Sequence, residues 1–199
     1  MEYDVVVVGG GPAGLATAIR FAQLNQKNNT NYSICLLEKG SEIGAHILSG
    51  NVFQPDPLDE LFPNWKDLKA PLNTPVKKDK IMYLLKNIGI PVPSFLMPTM
   101  KNHGNYIISL CNLFRWLVEQ AENLCVEVFP GFPASKLLYE NDKVVGVQTG
   151  DMGISENGEL KDSHVPGINI KAKYTILGEG CRGHLGKQVI SKFDLDKNL

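Results

Sequence analysis

The chain lacks the features of several large protein classes. Its 199 residues carry 20 basic and 21 acidic side chains, and a net charge of −1 gives no indication of a nucleic-acid partner. It has no run of 18 apolar residues, and no cationic leader or secretory apolar core precedes the first strand-like run. We expect a chain without a membrane-spanning helix that faces the cytosol or has already been processed.

Cysteine is also scarce. Four cysteines occur and none forms a C-x-x-C pair, so we expect no metal or cluster site within this chain. Cys35 and Cys125 lie in apolar, strand-like runs, a position typical of reduced core cysteines. The length and the 43% hydrophobic content suffice for a sizeable core.

The N-terminal part of the chain predicts a β-α-β unit. Residues 3–8 form a continuous β-branched run, which is typical of a strand buried on both faces. A glycine-rich stretch follows, and residues 12–24 predict a helix that the polar residues after it interrupt. Residues 33–37 predict a second strand, and Glu38 closes it.

The glycines of this unit fit the dinucleotide-binding pattern G-x-G-x-x-G. Gly9 allows the tight turn, Gly11 lets a pyrophosphate approach the backbone, and Gly14 lets helix and strand pack closely. Pro12 and Ala13 then open a helix whose dipole faces the phosphates. Glu38 stands where a carboxylate accepts hydrogen bonds from ribose hydroxyls. The alternative is a chance glycine turn beside a surface glutamate.

The alternation of predicted strands and helices stops after Glu38 and resumes only late in the chain. Further elements are predicted at residues 58–61 (helical turn), 80–85 and 106–109 (strands), 110–124 (amphipathic helix), 126–129 (strand), 136–139 and 143–149 (hairpin), 174–177 (strand) and 185–193 (helix). The last strand ends in Gly178-Glu179-Gly180. A nicotinamide domain would normally continue with more β-α units, whereas this late strand end suits a flavin site. The pattern therefore favours FAD over NAD.

Several longer runs carry a family resemblance. They are E-K-G-S-E-I-G-A-H-I-L-S-G (38–50), L-D-E-L-F-P-N-W (58–65), A-P-L-N-T-P-V (70–76), K-N-H-G-N-Y (101–106), R-W-L-V-E-Q-A-E (115–122), T-G-D-M-G-I (149–154) and G-E-G-C-R-G-H-L-G-K-Q (178–188). Together they make the whole chain resemble the electron transfer flavoprotein–ubiquinone oxidoreductases.

The resemblance implies FAD, a [4Fe-4S] cluster and ubiquinone as electron acceptor. Members of the family take electrons from electron transfer flavoprotein and lie monotopically on the mitochondrial inner membrane or the cytoplasmic face of the bacterial membrane. They are longer than this chain, with the cluster cysteines and the last FAD segment towards their C-terminus. We therefore expect an N-terminal part of such an enzyme. The redox chemistry belongs to the flavin, so no side chain is assigned a catalytic role.

The predicted cofactor site combines the motif with the resemblance. It comprises Gly9, Gly11, Pro12, Ala13, Gly14, Glu38, Lys39, Gly44, Ala45, His46, Ser49, Gly50, Gly178, Glu179 and Gly180. Some of these residues have a plainer interpretation: Lys39 is either on the adenosine side or an ordinary surface lysine, and His46 either meets the flavin or packs. Four further residues are weighed in the same way, as cofactor or quinone neighbours against packing and surface roles. They are His103, Tyr106, Arg115 and Arg182.

An uncharged, proline-rich apolar segment spans residues 88–98. Prolines there prevent a helix and limit sheet pairing, so the segment is either tucked under other parts of the protein or dipped into a bilayer surface. Nearby cations suit anionic headgroups; these are Lys77, Lys78, Lys80 and Lys86. We accordingly expect three parts: residues 1–76 (the FAD-binding unit and flavin loop), 77–108 (the membrane or quinone side) and 109–199 (the rest of the FAD domain).

The predicted fold is an α/β, Rossmann-like FAD-binding domain with an inserted irregular and antiparallel segment, incomplete at its C-terminus. The leading function is FAD-dependent electron transfer from electron transfer flavoprotein to ubiquinone. Two alternatives remain: an NAD(P)H-dependent flavoprotein reductase or hydroxylase of the same wider fold, and an inactive nucleotide-binding fragment.

Overall fold

A computed structural model describes residues 1–45, 47, 50–155, 157 and 159–197. The helices are α1 (Pro12–Asn28), α2 (Asp56–Leu61), α3 (Leu110–Asn123) and α4 (His184–Phe193). The strands are β1 (Glu2–Val8), β2 (Ile34–Glu38), β3 (Asn51–Phe53), β4 (Thr74–Pro75), β5 (Ile81–Leu84), β6 (Gly89–Val92), β7 (Tyr106–Ile108), β8 (Val126–Pro130), β9 (Ala134–Glu140), β10 (Lys143–Thr149), β11 (Met152–Ile154), β12 (Leu160–Val165) and β13 (Asn169–Leu177). Two short 3₁₀ turns span Ser94–Leu96 and Pro98–Met100.

The described chain divides into two compact units. One comprises residues 1–47 with 114–199, and the other comprises residues 48–113. The first unit contains the β-α-β motif and the late strands, so the second is an insertion within it.

A six-stranded sheet in the order β8-β2-β1-β13-β10-β9 forms the centre of the first unit. The strands β8, β2, β1 and β13 run parallel, whereas β10 is antiparallel to both β13 and β9. The valines of β1 are buried as its β-branched run predicted, because β1 has a hydrogen-bonded neighbour on each side. The predicted α/β class and the β9–β10 hairpin are confirmed.

The core of this unit joins residues from distant parts of the sequence. Val6 and Leu37 of the first β-α-β unit cluster with Val147 and Ile170 of the late strands, and Leu185 of α4 packs among them with no exposed surface. Each such side chain contributes on the order of 1.5–3 kcal/mol on burial. The core therefore fixes α4 against the sheet.

Three local predictions were wrong. Helix α1 continues past residue 24 to Asn28, because Asn29 ends it in the left-handed conformation with its N–H on the carbonyls of Asn25 and Gln26. Strand β13 begins at Asn169 rather than residue 174. Cys125 is exposed, because it adopts a positive φ of 65° in the turn between α3 and β8.

The second unit holds small antiparallel sheets. Strands β3, β7 and β4 form one, and the ring of Trp65 meets that of Tyr106 edge-on at 5.8 Å. Strands β5 and β6 form a separate ribbon. Pairing by residues 88–98 is limited, as predicted: Pro91 lies opposite Met82 within a ribbon that has only two strands. Tyr106 packs, as its plainer interpretation held.

Candidate functional site

A cavity of about 430 Å³ opens at the carboxyl ends of β1, β2 and β13. This edge of an open α/β sheet is where such folds bind ligands. The lining residues all belong to the first unit: Val8, Gly9, Gly10, Gly11, Pro12, Ala13, Leu37, Glu38, Lys39, Gly44, Ile47, Pro133, Ala134, Gly178, Glu179, Gly180, Arg182, Gly183 and His184. The chain thus brings its first glycine loop and its last strand end to one site.

Each glycine of the motif faces a different environment. Gly9 has a φ of +104°, and a Cβ there would lie 2.5 Å from the Gly178 carbonyl oxygen. A Cβ on Gly14 would collide with the Gly9 carbonyl oxygen, so Gly14 serves packing and does not line the cavity. A Cβ on Gly11 would meet nothing within 4 Å. Open space at Gly11 is what a close-approaching diphosphate requires.

The N-terminus of α1 faces this cavity without a capping side chain. Gly11 is the N-cap, Pro12 occupies the first turn, and no acidic residue follows in that turn. The amide groups and dipole of such a helix start favour an anion.

Glu38 organises the loop around the predicted ribose position. Its Oε2 accepts a hydrogen bond from the Gly10 N–H at 2.8 Å, and its Oε1 accepts one from the Gly40 N–H at 2.8 Å. An ionised carboxylate has about four acceptor positions. Both oxygens therefore retain capacity for hydroxyl donors while they hold the glycine loop.

Glu179 makes its hydrogen bonds at the start of α4. Its Oε2 accepts from the Gly186 N–H at 2.9 Å, and its Oε1 accepts from the Leu185 N–H at 3.3 Å. The His184 Nδ1 lies 3.3 Å from Oε1, and His184 Nε2 lies 3.3 Å from the Ser135 carbonyl oxygen. The Glu179 side chain is only 12% exposed. Its carboxylate thus does for α4 what a capping side chain normally does.

The charges around the cavity are unequally neutralised. Both acids, Glu38 and Glu179, accept backbone hydrogen bonds. Lys39 and Arg182 also line the cavity, and neither forms an ion pair or hydrogen bond with any residue in the described ranges. The cavity therefore presents two cations without a protein counter-charge.

Only some of the remaining predicted site residues lie at the cavity. Gly44 lines the cavity, Ala45 is exposed, and Gly50 belongs to the second unit. His46 and Ser49 lie outside the described residues. Arg115 pairs with Glu42 at 2.9 Å on an exposed surface, which is the plainer of its two interpretations.

Sequence reasoning missed part of the wall. Gly10 lies inside the G-x-G-x-x-G motif, so the sequence alone could have predicted it. In the structure it lines the cavity, and a Cβ there would collide with Ile43. Pro133 and Ala134 carry no motif, and the fold alone brings them to the cavity. Gly183 and His184 also line it; they lie in the run 178–188 that carries the family resemblance, but the prediction did not assign them to the site. Within the ranges that the structure describes, no three His, Cys, Asp or Glu side chains converge as a metal site, and no helix is long and apolar enough to cross a bilayer.

Comparison with known proteins agrees with this geometry. Residues 7–68 match the model of the NAD(P)-binding Rossmann-like domain. The electron transfer flavoprotein–ubiquinone oxidoreductase of Pseudomonas aeruginosa is 55% identical over 98% of this chain. The resemblance to the electron transfer flavoprotein–ubiquinone oxidoreductases is confirmed. The mitochondrial enzymes of Arabidopsis thaliana and Mus musculus, each 49% identical, cover 100% and 98% of the chain.

The match covers only part of these oxidoreductases. The chain spans 36%, 31% and 32% of the Pseudomonas, Arabidopsis and mouse proteins, about a third of their length. Among solved structures, a geranylgeranyl bacteriochlorophyll reductase-like protein of Thermoplasma acidophilum aligns with a TM-score of 0.66 at 25% identity, over 94% of this chain and 41% of that one. The flavin-dependent monooxygenase PieE shares the fold, with a TM-score of 0.63 at 16% identity. That alignment covers 98% of this chain and 32% of PieE. The Rossmann-like fold predicted from the sequence is confirmed.

Proposed function

We propose that this chain forms the dinucleotide-binding part of an enzyme that uses FAD to transfer electrons from electron transfer flavoprotein to ubiquinone. The observation that carries the proposal is a sequence identity near one half, over almost the whole chain, to oxidoreductases of that name. The cavity at Gly9–Gly14 and Gly178–Gly180 supports it, because dinucleotide-binding folds use this edge of the sheet.

The residues of the cavity fit the ADP half of FAD. Space at Gly11 and the uncapped start of α1 suit the diphosphate, and Glu38 has acceptor capacity for ribose hydroxyls. Bound FAD supplies the redox chemistry, since its isoalloxazine accepts and donates electrons. The protein's part is to hold and orient the cofactor. The predicted contacts of Lys39, Gly44, Ala45, His46, Ser49, Gly50 and the Gly178–Gly180 turn remain part of this proposal.

The donor, the acceptor and the [4Fe-4S] cluster belong to the proposal for the whole protein. The names of these relatives specify electron transfer flavoprotein and ubiquinone. No cysteine set for a cluster is present among the described residues of this chain. We therefore place the cluster in sequence that this chain does not contain.

A titration of the purified chain with FAD tests the first step. We expect binding with displacement by ADP, because both share the adenosine diphosphate that the cavity fits. Rapid reduction of the bound flavin by NADH or NADPH would favour the reductase or hydroxylase alternative. A folded, colourless chain that binds ADP but not FAD would favour the nucleotide-binding fragment.

We also propose that residues 77–108 dock on a membrane surface. The β5–β6 ribbon and the 3₁₀ turns after it leave large apolar side chains in solvent, with Leu84 76% and Phe95 74% exposed. Residues 77–86 include four lysines and one acid, Asp79, which is already engaged by Asn102. Exposed apolar groups rimmed by cations suit an anionic bilayer interface, and such a site matches a monotopic enzyme of the inner membrane.

Vesicle flotation tests the docking. We expect the chain to float with vesicles of phosphatidylcholine and phosphatidylserine, and the double variant Leu84→Ser/Phe95→Ser to remain in solution. The control Ile154→Ser removes an exposed apolar side chain from the other unit and should float like the original chain. Flotation of the double variant to the same extent as the original chain would contradict the proposal, and failure of the original chain to float would contradict it in favour of coverage of the segment by other protein surface.

A further inference from the structure

Two helix N-termini meet the same cavity, and they differ in charge. The start of α1 has no capping side chain and no acid in its first turn. The start of α4 is occupied by the Glu179 carboxylate, which accepts from two of its first N–H groups. An incoming anion therefore finds α1 available and α4 already neutralised.

The loop after β13 lies against this available helix start. The Gly178 N–H donates to the Val8 carbonyl oxygen at 2.7 Å, and a Cβ on Gly178 would come within 3.2 Å of the Gly14 Cα. Glu179 then holds the loop's far end on α4. Arg182 follows within this loop and lines the cavity. Its position in the wall is thus set from both ends of the loop.

Arg182 carries a charge that the described protein leaves unmatched. No carboxylate of the described residues pairs with it, because Glu179 is committed to α4 and His184. An arginine guanidinium has fixed parallel N–H donors that match phosphate oxygens in a bidentate manner.

We propose that Arg182 is a specificity-determining residue that binds the diphosphate of the dinucleotide from the loop between β13 and α4. This inference rests on the proposed function, since it assumes a dinucleotide in the cavity. It assigns recognition of phosphate charge to a side chain outside the G-x-G-x-x-G motif. Glu179 in turn acts as a positioning residue that keeps the Arg182 loop in place.

Calorimetric binding of ADP and of adenosine to the full 199-residue chain tests this role. We expect Arg182→Gln to weaken ADP binding about tenfold, the loss typical of one charge-assisted hydrogen bond, and to leave adenosine binding unchanged. Arg182→Lys should recover part of the loss because it restores the charge without the bidentate geometry. Added salt should weaken ADP binding less in Arg182→Gln than in the original chain.

Arg20→Gln is the matched control, because Arg20 is exposed on α1, bonds to Gln23 and does not line the cavity. It should bind ADP like the original chain. Equal ADP affinity in Arg182→Gln and the original chain would overturn the role of Arg182 alone. An equal loss for ADP and adenosine would also overturn it, since that result indicates a distorted wall. Failure of the original chain to bind either ligand would overturn the dinucleotide site itself.

Discussion

The Oε2 atom of Glu179 accepts a hydrogen bond from the backbone N–H of Gly186 at 2.9 Å. Gly183, which holds the N-cap position of α4, has no side chain to do this. The cap comes instead from a residue at the end of the preceding strand. A Cβ on Gly183 would lie 2.6 Å from the Glu179 Cβ, so the glycine leaves room for the glutamate.

Replacement of Glu179 should destabilise the fold. We expect Glu179→Ala to lower the free energy of unfolding by about 1–2 kcal/mol, because two N–H groups of α4 lose their acceptor. The free energy of unfolding of Glu179→Asp should lie between those of Glu179→Ala and the original chain, since the shorter side chain reaches the N–H groups of α4 less well. Urea denaturation followed by circular dichroism measures the change. Glu119→Gln, on the exposed face of α3, is the control and should leave the free energy of unfolding unchanged. An unchanged free energy of unfolding in Glu179→Ala would refute the capping role.

Two glycines of the motif should respond in opposite ways to alanine. Gly14→Ala should lower the free energy of unfolding by about 1–3 kcal/mol, because its Cβ would collide with the Gly9 carbonyl. Gly11→Ala should fold normally, since its φ of −77° suits alanine and its Cβ meets open space. It should nevertheless bind FAD or ADP at least tenfold more weakly, because the methyl group occupies the diphosphate's approach. Thermal unfolding and calorimetric titration separate the two effects; normal ADP affinity in Gly11→Ala would place the diphosphate elsewhere.

The four cysteines should differ in reactivity. Cys181 and Cys125 are exposed, whereas burial, aided by the charge of Glu127, raises the pKa of the Cys35 thiol to about 12. We expect iodoacetamide at pH 8 to modify Cys181 and Cys125 quickly and Cys35 only after denaturation, because the thiolate is the reactive form. Mass spectrometry of the alkylated peptides checks this, and rapid alkylation of Cys35 in the folded chain would be inconsistent with it.

The raised pKa of the Cys35 thiol should lower the free energy of unfolding in alkali. Its pKa is about 12 in the folded chain and 9.0 ordinarily, so its contribution is complete below pH 9 and declines as the pH rises towards 12. The pKa of Tyr3 is also raised, chiefly by burial and by its hydrogen bond to Glu127, and acts in the same direction. Cys35→Ala should therefore show a shallower decline of unfolding free energy between pH 9 and 12. An equal decline would assign the effect to other groups.

Asp4 predicts a loss of stability in acid. Its ion pair with Lys173 at 2.6 Å and its hydrogen bonds from Ser33 hold the pKa of its carboxyl at about 2, below the ordinary 3.8. The stabilisation is present above pH 3.8 and is lost as the pH falls through 2. Asp4→Asn should flatten this part of the stability profile, measured by urea midpoints between pH 2 and 5. A profile as steep as that of the original chain would exclude Asp4 as the cause.

Local sequence patterns predicted the parts of the fold that depend on near neighbours. The valines of β1, Gly9–Gly14 and Glu38 identify one β-α-β unit, because turn, helix start and strand end follow each other directly. The apolar stripe of α3 likewise predicted an amphipathic helix from the local sequence. These are features in which burial and backbone conformation depend on residues close in sequence.

The remaining features depend on tertiary contacts. Asn29 ends α1 through its backbone conformation, which the polar composition of residues 25–31 does not specify. Pro91 pairs in a strand because its ribbon has only two strands and both are edges. The sequence placed Glu179 in the site, but its attachment to α4 requires the packing of Leu185 in the core.

Strand β13 lies directly beside β1, although more than 160 residues separate their first positions. During synthesis on the ribosome, β1 emerges first and acquires that neighbour only when nearly all of this chain has been made. The cavity wall at Gly178–Gly183 arrives later still. Nascent chains stopped before β13 therefore lack the wall at Gly178–Gly183, so the proposed nucleotide site is completed only after β13 has emerged and paired with β1.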